Sequence, residues 1–118
     1  MRIFDVDQLE HEGDPGVGDG LPAGEAIEEA FRGAGTTILF TNRRIVTVQL
    51  QVVISERVET TSYSYRSIRQ FSLVEGVAGA ARSEIKIWFG VDAQPLHLRA
   101  NPGTDFSRLH GLLVGRLQ

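Results

Sequence analysis

Two β-rich runs that meet at a Thr41-Asn42 corner, followed by paired arginines, constrain this chain more than any other feature. Ile38 and Phe40 fall on one side of an extended segment, and Thr37 and Leu39 on the other. After the corner, Val46, Val48 and Leu50 alternate with Ile45, Thr47 and Gln49. A period of two with β-branched residues is the mark of a strand, and asparagine suits the reversal because it tolerates the left-handed backbone of tight turns. Taken alone, the pattern predicts a β-hairpin followed at its corner by the paired arginines Arg43 and Arg44.

The same reading, extended along the chain, predicts strands at about residues 25–32, 36–41, 44–54, 57–65, 68–75, 83–90 and 94–99. The first of these is ambiguous, since Ala26, Ile27, Ala30 and Phe31 also make a helical stripe. A helix is predicted at the end. Pro102 and Gly103 break the chain, Thr104 can cap the first turn, Asp105 stands near the positive end of the dipole, and Phe106, Leu109, Leu113 and Leu117 share one face. Gly111 and Gly115 add a smooth strip to that helix, of the kind that most often packs on the domain's own sheet. From His11 to Gly24, glycine, proline and acids predominate, and the segment reads as a flexible lead-in. Ile3, Phe4, Val6 and Leu9 before it could dock on an exposed edge or a neighbouring subunit, or remain free.

Set in order, Gly24 to Phe31, the Thr36 to Thr47 hairpin, Tyr65 to Ser72, Glu75 to Gly79 and Glu84 to Trp88 resemble the bacterial pleckstrin-homology (PH) domain family of small stand-alone proteins. The resemblance covers about residues 21–117, which makes residues 1–20 an acidic, Gly-rich tail and 21–118 a PH-like domain. It implies a mainly β fold with one C-terminal helix: a barrel of about seven antiparallel strands in two near-orthogonal sheets, capped by the helix. It also favours a strand over a helix at 25–32. Relatives usually carry a glycine-containing turn after the third strand and a proline before the Tyr65–Ile68 segment. This chain has no glycine between residues 49 and 57, and Ser64 replaces the proline.

Composition narrows the function classes. A chain of 118 residues can build one core without staples, and the absence of cysteine excludes disulfides, thiolate zinc sites and thiol nucleophiles. No apolar run approaches the roughly 18 residues needed to span a bilayer, and the first residues lack a signal-peptide core, so the expected location is cytoplasmic. The net charge of −3 is uneven: residues 1–20 sum to −5, and the remainder carries 11 basic against 9 acidic side chains. A nearly neutral body lacks the basic stripe that nucleic-acid phosphates require.

Catalytic and metal signatures are missing as well. His11, His97 and His110 show no paired ligand spacing. Asp5-Val6-Asp7 opens like a calcium loop but continues with Leu9 and Glu10, where an oxygen ligand and a glycine are required. The glycines at 16–20 lack a P-loop ending, and no serine sits in a Gly-x-Ser-x-Gly elbow. The expectation is a protein that is not an enzyme and carries no cofactor or metal.

Two binding readings follow. Ile85, Ile87 and Phe89 should point inward, which places Glu84, Lys86 and Trp88 together on the outer face. An outward tryptophan beside two charges suggests a protein contact, although Trp88 could equally pack under the tail or the helix. The family resemblance implies self-association into a homo-oligomeric ring, and open sheet edges supply a physical reason for it. The alternative is a module binding a membrane surface or an anionic headgroup through Arg32, Arg43, Arg66 or Arg69. Lipid-binding PH domains place several cations across the first hairpin, and here Arg32 stands without a second cation before Arg43.

Overall fold

The computed structural model describes residues 3–9, 21–52, 56–75 and 82–117. Its elements are β1 (Ile3–Gln8), β2 (Ile27–Gly33), β3 (Thr36–Thr41), β4 (Arg44–Val52), β5 (Glu56–Ser64), a 3-10 turn (Tyr65–Ser67), β6 (Ile68–Val74), β7 (Glu84–Phe89), β8 (Leu96–Ala100) and α1 (Ser107–Arg116). The chain divides into two compact units, one comprising residues 8–64 and the other residues 1–7 with 65–118. His11, the glycines at 16–20, the tip of the β4–β5 connection at 53–55 and residues 76–81 lie outside the described residues.

The contiguous unit is an antiparallel meander in the order β5-β4-β3-β2. Between β2 and β3 only Ala34 and Gly35 intervene, and Gly35 takes φ +70, which a side chain resists. Strand β3 is buried on both faces. Leu39 packs with Ala30 and Val46 in a cluster that Leu9, Ile27 and Val48 extend. On the opposite face, Phe31 and Phe40 meet edge to face at 6.0 Å. The alternation foreseen for the hairpin is therefore present, with both sides put to use: Ile38, Phe40 and Ile45 are fully buried and Leu39 is nearly so.

In the discontinuous unit the strand order is β1-β8-β7-β6. Docking is the outcome for the N-terminal apolar residues. β1 pairs in parallel with β8, with Ile3 opposite His97 and Val6 opposite Ala100, and Val6 is completely buried. The expectation of about seven strands, all antiparallel, is corrected by this eighth, parallel one among the described residues. It was hidden because a parallel partner 94 residues away leaves no local turn signal.

The C-terminal helix is present with a different start. Phe106, not Thr104, occupies the N-cap position, and its own side chain makes no capping hydrogen bond. Asp105 instead accepts hydrogen bonds from the Ser107 backbone N–H at 3.1 Å and its hydroxyl at 2.6 Å. Phe106, Leu109 and Leu113 are buried as foreseen, whereas Leu117 lies past the last helical residue and is half exposed. Among the described residues, nothing outside the helix backbone lies within 4 Å of where a Cβ would stand on Gly111 or Gly115, so their strip does not pack on a described strand.

Candidate functional site

The Thr41-Asn42-Arg43-Arg44 corner is the most densely bonded part of the contiguous unit. Thr41 is fully buried, and its hydroxyl accepts the backbone N–H groups of Arg43 (3.1 Å) and Arg44 (3.0 Å). Its own proton goes to Glu25 at 2.6 Å, a short charge-assisted bond. Arg44 grips the same carboxylate with two nitrogens, at 2.9 and 3.1 Å, and reaches Ser62 with a third at 2.7 Å. The Glu25 side chain is only 1% exposed. Arg44, then Thr41, hold its carboxyl below the usual range against the opposing effect of burial. Asn42 ties the corner to the segment before β2: its amide accepts from Ala26 N–H at 2.8 Å and donates to the Gly24 carbonyl at 3.0 Å. The corner is a structural clasp in which Arg44 and Glu25 match one another's charge.

The other unit carries a polar face. Along β7, Ile85, Ile87 and Phe89 are buried while Glu84, Lys86 and Trp88 are half-buried, the alternation that the sequence suggested. The register adds neighbours to that face: Ser72, Lys86, His97 and Ile3 form one row, and Val74, Glu84, Arg99 and Asp5 the next. Glu84 contacts the buried His97 at Nε2, 2.5 Å away, while Nδ1 of His97 has no hydrogen-bond partner among the described residues. Asp5 is held by two Arg99 nitrogens, which lowers its carboxyl pKa and raises that of the guanidinium. Glu84 is thus already engaged within its own unit, which leaves Lys86 and Trp88 as the more available members of that trio.

The four arginines named for anion binding do not form one cluster. Arg32 and Arg43 stand at opposite ends of β3, Arg43 at the clasp and Arg32 at the β2–β3 hairpin. Arg66 and Arg69 belong to the other unit, where Arg69 donates to the carbonyls of Gly90 (3.0 Å) and Asp92 (2.9 Å) and so braces the turn after β7. Beside Arg32 lies a feature that the sequence did not reveal, a cavity of about 210 Å³ in the face of the meander. Val48, Leu50 and Val58 form its apolar wall, with Gly33, Gly35, Thr36 and Thr37 around the hairpin. Its residues come from four strands, so only the register could have assembled it.

Comparison with known proteins places these observations in a family. The family model described as "Bacterial PH domain" matches residues 4–116. The uncharacterized protein YjqA of Bacillus subtilis (strain 168) is 35% identical over 68 residues, 58% of this chain; the chain spans only about half (54%) of that relative's length. Among solved structures, a DUF1696 family protein with a pleckstrin-homology domain from Shewanella loihica PV-4 is similar at a TM-score of 0.78 and 21% identity, covering 98% of this chain and 99% of the other. A pleckstrin-homology domain from Shewanella amazonensis SB2B is similar at 0.65 and 22% identity, covering 81% and 86%. The mainly β fold with its C-terminal helix is therefore PH-like, and the chain belongs to the bacterial pleckstrin-homology domain family.

Proposed function

We propose that this protein is a non-enzymatic interaction module that self-associates through its strand edges, with a homo-oligomeric ring as the assembly. The observation that supports this reading is the free edge of β5. Among the described residues, this nine-residue strand pairs only with β4, and its residues 57–60 are exposed. The Leu50 N–H donates to the Gly35 carbonyl, on the β3 side of β4. In an antiparallel ladder, Val58 opposite Leu50 must then turn its N–H and carbonyl away from β4, and so must Thr60 two residues on. Such a row of open donors and acceptors is a template for another strand. At the other unit's margin, β6 likewise pairs only with β7.

Thr60→Pro tests the reading, because proline is tolerated where an edge N–H faces solvent but removes a donor from any added strand. Light scattering after size-exclusion chromatography should give the wild type as a discrete multiple of 13.0 kDa and the variant as a folded species of lower mass. Trp88→Ala should also weaken assembly if the β7 face joins the contact. A wild type that stays monomeric at every concentration defeats the reading.

A further inference from the structure

We propose that the cavity beside Arg32 is a binding site for a small amphipathic monocarboxylate: one carboxylate on a short, unbranched apolar tail. The site differs from a multivalent-phosphate clamp in charge and in lining. A single guanidinium stands at its rim, while Arg43, the next cation along the chain, sits at the far end of β3. Arg32 spends its Nε–H on the Thr37 hydroxyl at 3.3 Å, and its terminal nitrogens have no partner among the described residues. A planar fork held in this way is suited to a carboxylate.

The apolar wall supplies the second requirement. Leu50 is 50% exposed and Val58 65% exposed, and they stand opposite each other in register with Val48 two residues before Leu50. Exposed hydrophobic side chains that share a concave wall gain free energy when a tail covers them. Size then limits the tail: 210 Å³ is below the roughly 300 Å³ at which sites for drug-sized ligands begin.

Equilibrium dialysis of the full chain with radiolabelled octanoate tests the assignment in whatever oligomeric state the protein adopts. Saturable binding is expected, with acetate and octylammonium failing to compete, since one lacks the tail and the other the charge. Arg32→Gln should weaken binding at least about tenfold, the scale of one lost charge-assisted hydrogen bond. Leu50→Asn should weaken it independently, with circular dichroism confirming that both variants fold. No saturable binding at millimolar octanoate overturns the proposal. So does competition by octylammonium equal to that by octanoate, which would mean tail adsorption alone, or by acetate, which would mean charge alone. Sedimentation with phosphatidylglycerol vesicles that depends on Arg32, in a protein that ignores free octanoate, would assign the site to a lipid surface and also overturn it.

Discussion

The two ends of β3 begin and finish with the same side chain and are built in opposite ways. Thr41 at one end is fully buried and its hydroxyl has partners in Glu25, Arg43 and Arg44. Thr36 at the other end is nearly as buried, and its hydroxyl has none among the described residues. The arginines differ in the same sense. Arg44 is committed to Glu25 and Ser62, whereas Arg32 keeps one bond to Thr37 and stands at an apolar hollow. A polar group with every bond satisfied holds a structure together, and one left open costs stability unless something else completes it. The contrast separates an end of the strand whose polar groups are satisfied from one where a buried hydroxyl is not.

The largest effect expected in breaking this contrast comes from Arg44→Met. It strands the Glu25 carboxylate in a site from which its side chain is almost excluded from water, and should cost about 3 kcal/mol in denaturant unfolding. A cost below 1 kcal/mol would mean that the clasp opens to solvent. Thr41→Val keeps the shape but leaves two backbone N–H groups short of an acceptor, and should cost about 2 kcal/mol.

Dependence on pH should follow the same clasp. The Glu25 carboxyl is depressed in the folded state below its ordinary value of 4.5, first by Arg44 and then by Thr41. Its contribution is therefore fully present above the unfolded carboxylate range and is lost as pH falls through the folded value. The stability gap between wild type and Glu25→Gln should be widest near neutrality and shrink below about pH 4. A gap that is constant with pH would remove the charge from the account.

The smallest effect is expected at the other end of the strand. Thr36→Val replaces an unpartnered hydroxyl with a methyl group and should be neutral or stabilising by up to about 1 kcal/mol. Destabilisation as large as that of Thr41→Val would show that the hydroxyl has a partner in the free protein, and would blunt the comparison.

Much of this architecture was legible in the residues. Period-two patterning located β3, β4 and β7, and the Pro102-Gly103 break placed the final helix to within a few residues. The Glu84, Lys86 and Trp88 face was legible for the same reason, because alternation in one strand needs no knowledge of its neighbours. What escaped depended on pairing at a distance. Glu25 and Arg44 are 19 residues apart, Glu84 and His97 are 13 apart, and Asp5 and Arg99 are 94 apart. Nothing in the local pattern selects those partners. The cap was misplaced because Thr104 and Asp105 are both good terminators, and only the backbone decides which carboxylate or hydroxyl meets a free N–H. The cavity required the alignment of four strands before any of its residues had a reason to be grouped.

The parallel pairing of β1 with β8 also bears on the order in which the molecule can be made. Residues 8–64 have their strand partners next to them in the chain, so this unit can close while the rest is still being synthesised. β1 is made before the meander and its partner β8 after it, so Val6 cannot find its place opposite Ala100 until β8 has been synthesised. The slowest step in folding of the discontinuous unit should accordingly be the capture of β1 by β8, a closure of high contact order that changes at Val6 would delay more than changes anywhere in the meander.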